Sequence, residues 1–152
     1  MYRNLSLIVV AVAFMSGATG VFAADPAQME VNKKNVAAFY DAALNKKDFD
    51  AASKYLGAGY KQHNPNAKDG PEGLKGFIAF LKDKFPNNKS EIKQIFADGD
   101  YVIVHVHAVR EPGTRGNAII DIFRLDSAGK IVEHWDAVQP IPETALNSNG
   151  MF

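Results

Sequence analysis

The apolar residues of this chain follow a helical period in its first half and a strand period in its second. Over residues 28–45 they recur every three or four positions, which predicts an amphipathic helix, and a shorter helix follows over residues 49–56. A third helix is predicted over residues 71–85, because proline suits a first helical position and Pro86 ends the pattern. We therefore expect three helices before the strand-rich part of the chain.

Beyond residue 90, runs of β-branched and aromatic residues alternate with Gly, Asp, Asn and Pro. Four runs, over residues 91–97, 101–110, 118–125 and 131–139, predict an antiparallel meander, and residues 60–63 are a candidate further strand. Helices followed by strands indicate an α+β domain with three N-terminal helices packed on one face of a curved, mainly antiparallel sheet. A bent sheet under long helices leaves a conical hollow, and pockets form in such hollows.

The N-terminal residues 1–23 have the pattern of a signal peptide. Arg3 precedes an apolar run over residues 5–15, and small residues follow up to Ala23, after which we place the cleavage. A membrane anchor is the alternative, but the apolar run is shorter than the roughly 20 residues that a spanning helix needs. We therefore expect an exported protein, periplasmic or secreted, that consists of a single domain over residues 24–152 and has no membrane association after cleavage.

Charge and composition exclude several classes of function. The chain has 17 Lys and Arg against 17 Asp and Glu, so it lacks the basic excess that drives nucleic-acid binding. With no cysteine, it has no disulfide, no thiolate metal site and no cysteine nucleophile. What remains is a globular protein whose chemistry depends on carboxylates, histidines and hydroxyl groups.

The most suggestive chemistry is an aspartate within an apolar strand. Asp121 interrupts the apolar run over residues 118–123. If residues 112–116 form a five-residue hairpin loop, His107 lies directly opposite Asp121, with Cβ atoms about 4.5–5.5 Å apart, and His105 points to the same face. A carboxylate buried there is a candidate general base or acid, which His107 would assist. The alternative is a solvated strand face or a salt bridge to Arg124 or Lys93.

Further side chains are candidates, and for those of the last strand the role depends on register. His63 lies where a strand enters a turn and is either a pocket residue or a satisfied loop histidine. A four-residue loop over residues 126–129 places His134 opposite Asp121, whereas a bulged turn brings Trp135 or Glu133 to that face. Trp135, the sole tryptophan, is either a pocket wall or part of the core.

A metal-binding alternative comes from the spacing of Gly99, His105, His107 and Glu111, which resembles the first half of the cupin metal motif. The closing glycine and the second half of that motif are absent, and cupins are largely β. The sequence therefore favours a site without a metal.

Four motifs resemble the SnoaL-like polyketide cyclase family of the nuclear-transport-factor-2-like superfamily, and the resemblance extends over residues 31–139. They are YKQHNP at residues 60–65, DGDYV at residues 98–102, DIFRL at residues 121–125 and GKIVEHWD at residues 129–136. The last two motifs, in their order and spacing, are the specific ones. The resemblance implies a cone-shaped α+β barrel, often dimeric through its sheet, with a deep pocket and no metal or organic cofactor.

The resemblance also implies roles for individual residues. In cyclases of this group the aspartate of the DIFR position is the acid and base of an intramolecular aldol ring closure, and a histidine of the preceding strand assists it. These positions are Asp121 and His107 here. The remaining candidates, Tyr60, His63, His105 and Trp135, would line a pocket for the substrate.

We therefore expect a homodimeric, cofactor-independent lyase or isomerase that acts on a small, largely apolar carbonyl compound. A binding module of the same fold, for a small molecule or a partner, is the alternative. The tail over residues 142–152 has no helical or strand period, and it is either disordered or docked through its apolar end residues.

Overall fold

The computed structural model describes residues 25–152, and the predicted signal peptide lies outside the described residues. Helix α1, Pro26–Tyr40, continues into a π-helical turn, Asp41–Asn45. Helices α2, Phe49–Ser53, and α3, Gly70–Lys84, follow. In this part of the chain no helix is both long and apolar enough to cross a membrane.

Each α-helix begins directly after an aspartate. The carboxylates of Asp25, Asp48 and Asp69 accept hydrogen bonds from backbone N–H groups in the first turns of α1, α2 and α3. A short acidic side chain at this position satisfies N–H groups that have no partner within the helix, and it also complements the positive end of the helix dipole. These caps explain why the predicted helix starts agree with the structure to within about two residues.

The sheet has five strands: β1, Leu56–Gln62; β2, Lys89–Asp98; β3, Tyr101–Val109; β4, Asn117–Leu125; and β5, Ile131–Pro140. Their order is β1-β5-β4-β3-β2, with β1 parallel to β5 and every other neighbouring pair antiparallel. The sheet is open, since β1 and β2 remain edge strands. The predicted α+β arrangement, with helices packed on a curved and mainly antiparallel sheet, is confirmed.

Alternating side chains divide the sheet into two faces. The inner face, which the helices cover, carries Val102, Val104 and Val106 of β3 and Phe123 of β4, all at most 2% exposed. Phe39 of α1 packs its ring edge-to-face on Phe123, with ring centroids 5.9 Å apart. The opposite side of the sheet is the outer face. This division decides which polar side chains of β4 and β5 meet in the protein interior.

The predicted pairing of His107 with Asp121 is wrong, because the β3–β4 hairpin is longer than expected. Ala108 pairs with Asn117, so His107 lies opposite Ala118, and Asp121 lies opposite Val104. The register differs from the prediction by three residues. Since an odd shift turns a side chain to the other face, His107 lies on the outer face together with His105.

The sequence of the loop explains this longer connection. The carbonyl of Glu111 accepts hydrogen bonds from the backbone N–H and the hydroxyl of Thr114, at 3.2 and 2.8 Å, which closes a tight turn around Pro112 and Gly113. Gly116 has a positive φ of 77°, and a Cβ atom there would lie 2.3 Å from the carbonyl oxygen of Ala108. The chain therefore leaves the strand ladder before Arg110 and rejoins it after Gly116.

The C-terminal tail docks on the outer face. The ring of Phe152 lies 5.0 Å from that of His105 and 4.9 Å from that of His107, measured between centroids. The ammonium group of Lys93 lies 5.8 Å from the centre of the Phe152 ring, within reach of a cation–π contact. Of the two alternatives for the tail, the structure therefore has the docked one.

Candidate active site

Asp121 lies in the middle of β4 on the inner face and is 5% exposed. The hydroxyl of Tyr40, at the end of α1, donates a hydrogen bond to Oδ2 over 3.0 Å. Nε2 of His134 lies 3.0 Å from Oδ1. A buried carboxylate needs such partners, because leaving the charge unpaired in an apolar interior costs several kcal/mol. The solvated strand face and the salt bridge to Arg124 or Lys93 are both excluded.

His134 reaches Asp121 from the neighbouring strand. In the β4–β5 ladder Phe123 pairs with His134, and Asp121 pairs with Asp136. Both β5 side chains therefore point to the inner face. The imidazole stacks on the ring of Phe123 with centroids 4.7 Å apart, and its side chain is 12% exposed. Packing from one side and a hydrogen bond from the other hold the ring in place.

The turn between β4 and β5 differs from both predicted alternatives in detail. Leu125 pairs with Ile131, and an extra residue, Val132, is inserted before Glu133 pairs with Arg124. Relative to a four-residue loop, the ladder beyond this bulge is displaced by two residues. An even shift keeps each side chain on its face, so His134 stays on the face of Asp121.

Strand β1 supplies the second contact of His134. Because β1 runs parallel to β5, Gln62 lies beside His134, and its Oε1 atom is 3.0 Å from Nδ1 of the imidazole. The same oxygen accepts a hydrogen bond from the backbone N–H of Asn64 over 2.8 Å. The amide nitrogen of Gln62 donates to the hydroxyl of Tyr60 over 3.2 Å. Each nitrogen of His134 therefore has a partner.

Asp136 is the second carboxylate of the site. The side-chain amide nitrogen of Asn64 lies 2.7 and 2.8 Å from its two oxygens. Asp121, His134 and Asp136 each place one nitrogen or oxygen atom within 4.8 Å of the others, which is the spacing of a divalent-cation site. The 3.0 Å contact between Nε2 of His134 and Oδ1 of Asp121 also has the length of a hydrogen bond, which joins these two residues in a hydrogen-bonded network.

His105, His107 and Glu111 do not form such a group. In residues 25–152 the residues near enough to share an ion are those around Asp121, not the three residues of the cupin-like spacing.

Two buried tyrosines border the carboxylates. Burial raises the pKa of Tyr40 well above its ordinary value, and the negative charge of Asp121 and the hydrogen bond to it raise it further. Burial, followed by the charges of Asp121 and Asp136, likewise raises the pKa of Tyr60. Both hydroxyls therefore stay protonated at physiological pH, and that of Tyr40 donates to Asp121.

Of the predicted pocket residues, Tyr60 alone lies with Asp121 on the inner side. His63 and Trp135 stack on each other with centroids 4.6 Å apart, and Trp135 pairs with Ile122 on the outer face. Nε2 of His63 also lies 2.9 Å from Glu133. The structure therefore does not bring His63, His105, His107 or Trp135 to Asp121, because each points away from the helices.

Four residues of the network were not predicted from the sequence or were predicted only as one of several alternatives. His134 was one of two register alternatives, whereas Tyr40, Gln62 and Asp136 were not candidates. The spacing of His134 and Asp136, two residues apart in a strand, is the signal that they share a face. Tyr40 and Gln62 have no comparable signal, because their positions depend on helix packing and on the parallel pairing of β1.

Two hollows in the described part of the chain lie away from Asp121. One, of about 280 Å³, lies on the outer face under the tail, and the other borders the β3–β4 loop. The rings of Tyr40, Tyr60 and Phe123, each at most 3% exposed, pack on the inner side. The network reaches solvent at Asn64 and Asp136, which are partly exposed.

An open, mainly antiparallel sheet with helices packed on one face defines the class of cone-shaped α+β domains. The chain belongs to the SnoaL-like domain family, whose sequence model matches residues 36–134. No curated protein matches the chain in sequence.

Solved structures show the same fold at low sequence identity. A SnoaL-like protein of unknown function from Burkholderia thailandensis is 16% identical with a TM-score of 0.62, covering 72% of this chain and 95% of its own. A proposed polyketide cyclase from Bacillus cereus is 21% identical with a TM-score of 0.62, covering 71% and 74%. A proposed isomerase of the SnoaL-like family from Agrobacterium tumefaciens is 14% identical with a TM-score of 0.59, covering 74% and 98%.

Proposed function

We propose that the protein is a cofactor-independent acid–base catalyst that acts on a small, largely apolar carbonyl compound by aldol-type cyclisation, isomerisation or dehydration. The observation that carries the proposal is the buried carboxylate of Asp121, 3.0 Å from both the hydroxyl of Tyr40 and Nε2 of His134. A carboxylate and an imidazole in hydrogen-bond contact away from bulk water are suited to pass a proton to and from a substrate.

In this proposal each group has a separate task. The carboxylate of Asp121 takes a proton from the carbon beside the carbonyl and returns one at the product stage, while His134 orients the carboxylate through their hydrogen bond. His134 thus takes the assisting role first expected of His107. Such proton transfer typically contributes 10²–10⁴-fold to a rate.

Tyr60 is the proposed donor to the carbonyl oxygen. Within residues 25–152 its hydroxyl makes one hydrogen bond, which it accepts from Gln62, so its own proton is available to a ligand. Because burial keeps this hydroxyl protonated, it can stabilise an oxyanion that develops during enolisation. Two proteins of the same fold are named as a proposed polyketide cyclase and a proposed isomerase, which supports catalysis of this kind.

The test compares Asp121→Asn and His134→Gln with a matched histidine control, His107→Gln, on the outer face. A panel of small β-dicarbonyl and unsaturated ketone compounds is screened for turnover, and kcat/KM is measured. Asparagine at position 121 still accepts from Tyr40 and offers its amide to His134, so the variant should fold. We expect losses of about 100-fold or more at positions 121 and 134 and little change at position 107.

Parental kcat/KM in Asp121→Asn would refute the catalytic assignment. If no compound is turned over and Asp121→Asn binds a co-purifying apolar ligand as well as the parent does, the protein is a binding module.

Export and dimer formation complete the proposal. Residues 1–23 support export by their signal-peptide pattern. Exposed apolar side chains of the outer face, such as Phe96 at 56% and Ile120 at 40% exposure, support a second copy as their partner. Fractionation of expressing cells tests the first, and light scattering of the parent and Phe96→Glu tests the second. A full-length chain found in the cytoplasm would contradict export, and a monomeric parent would contradict dimer formation.

A further inference from the structure

We propose that Gln62 is a positioning residue, which holds His134 with a hydrogen on Nδ1 and so keeps one shared proton between His134 Nε2 and Asp121 Oδ1. The catalytic meaning of this inference rests on the proposed function, but the tautomer itself can be measured without any substrate.

The contacts of the Gln62 side chain determine the orientation of its amide. One of its two polar atoms lies 2.8 Å from the backbone nitrogen of Asn64. A backbone N–H is only a donor, so the atom that faces it must be the amide oxygen. A flipped amide would place two donors against each other at that distance. The other end of the amide faces the hydroxyl of Tyr60 over 3.2 Å, and a hydroxyl group accommodates either orientation.

The amide oxygen of Gln62 decides which nitrogen of His134 carries a hydrogen. Nδ1 of the imidazole lies 3.0 Å from Oε1, which has no hydrogen to give. Nδ1 must therefore carry the hydrogen of that bond. The remaining ring nitrogen, Nε2, faces Oδ1 of Asp121 over 3.0 Å, and a hydrogen bond there needs one more proton.

The two hydrogen bonds of His134 need one proton more than a neutral imidazole and an ionised carboxylate hold. Imidazolium with carboxylate, and Nδ1–H imidazole with carboxylic acid, both satisfy the two contacts of His134 and hold the same number of protons. A neutral imidazole beside an ionised Asp121 satisfies only one of these two contacts. Its nitrogen without a hydrogen then faces either the amide oxygen of Gln62 or the carboxylate of Asp121. Gln62 therefore favours retention of the shared proton.

The charged and titratable groups around the pair come from α1, from β1 and from β5, the strand of His134 itself. Tyr40 at the end of α1 donates to the far oxygen of Asp121. Tyr60 of β1 and Asp136 of β5 border the same space. Asp136 is a negative charge that also favours retention of the proton, and both of its oxygens contact the amide of Asn64.

The chain segment that carries Gln62 is itself anchored. The carboxylate of Asp69 accepts a hydrogen bond from the backbone N–H of Gln62 over 2.8 Å. The side-chain oxygen of Asn64 accepts from the backbone N–H of Asn66 over 2.7 Å. Gln62 therefore presents its oxygen to His134 from a fixed turn, as a positioning residue requires.

The experiment measures the nitrogen shifts of His134 by NMR of ¹⁵N-labelled protein between pH 5 and 9. We expect a protonated Nδ1 in the parent throughout and in Gln62→Glu, whose carboxylate is also an acceptor. Gln62→Met removes the acceptor, so the neutral imidazole should carry its hydrogen on Nε2 and point it at Asp121. At neutral pH, Nδ1 of His134 should therefore be bare in Gln62→Met and protonated in the parent and in Gln62→Glu.

His107, on β3 and on the outer face of the sheet, provides an internal control, because its shifts should be the same in every variant. A parent with a bare Nδ1 at neutral pH, or a Gln62→Met variant with the parental pattern, would overturn the inference. If Gln62→Met does not fold, Gln62→Glu and the parent still test it, because loss of the Nδ1 hydrogen in either contradicts the contact.

Kinetics separate this inference from the proposed function. On a turned-over substrate, Gln62→Met should shift the alkaline limb of the kcat/KM profile to lower pH, and Gln62→Glu should restore it. If Asp121→Asn keeps parental activity, the proposed function fails while the NMR result stands. If the NMR pattern fails while Asp121→Asn is inactive, only the role of Gln62 is wrong.

Discussion

Replacement of Tyr40 by phenylalanine removes a single hydrogen bond from the buried network. Tyr40 is 3% exposed, and its hydroxyl donates to Oδ2 of Asp121 over 3.0 Å. The ring packs edge-to-face on Phe123 with centroids 6.5 Å apart, a contact that phenylalanine keeps. The substitution therefore tests the polar contact and leaves the apolar packing unchanged.

The expected loss of stability follows from the charge and burial of Asp121. A hydrogen bond to a charged group contributes about 1.5–3 kcal/mol, and its loss leaves a buried oxygen without that partner. Asp121 keeps its contact with His134, so we expect a loss of about 2 kcal/mol in the free energy of unfolding. For a domain of this size, this corresponds to a fall in Tm of about 7 °C.

Urea denaturation at pH 7, followed by tryptophan fluorescence, measures the change. Tyr60→Phe is the matched control, since this hydroxyl only accepts from the neutral amide of Gln62, and its loss should cost about 1 kcal/mol or less. If the free energy of unfolding of Tyr40→Phe lies within about 0.5 kcal/mol of that of the parent, the carboxylate of Asp121 does not depend on Tyr40. That result would refute the reasoning about the buried pair.

Three further predictions follow from the same contacts. Burial raises the pKa of Tyr40 and Tyr60, so the folded chain keeps protons that the unfolded chain loses near pH 10. The free energy of unfolding should therefore keep this contribution below pH 10 and lose it as the pH rises above that value. Urea midpoints from pH 8 to 11 measure this, and an equally steep fall in Tyr40→Phe would contradict it. Gly116→Ala should cost about 2 kcal/mol or more in urea unfolding, because its Cβ would lie 2.3 Å from a carbonyl oxygen, whereas Gly113→Ala, with open space, should cost less. Deletion of residues 151–152 should uncover the outer face and increase binding of a hydrophobic dye, while equal binding would show that Phe152 covers nothing.

Much of the fold was predictable because its signals are local. Proline and aspartate at helix starts, and the change from a helical to a strand period, indicate the elements without any knowledge of tertiary structure. Asp121 was identified for the same reason, since a carboxylate within an apolar strand is visible in the sequence. Its partners Tyr40 and Gln62 were not identifiable, because one comes from helix packing and the other from parallel pairing of strands far apart in the chain.

The two hairpins explain why one histidine was assigned wrongly and the other remained possible. In the β3–β4 hairpin, the turn at Glu111 and the backbone contact at Gly116 displace the ladder by three residues from the predicted register, which moves His107 to the outer face. In the β4–β5 hairpin, the ladder is displaced by two residues from the predicted register, which keeps His134 on the inner face. Because side chains alternate with a period of two, the parity of a register error decides which face a residue occupies, whereas its size only moves the residue along the strand. A sequence-based search for sites in meanders of this kind therefore needs to consider both parities for every hairpin, and a polar pair separated by two residues, such as His134 and Asp136, is informative because its members share a face in either case.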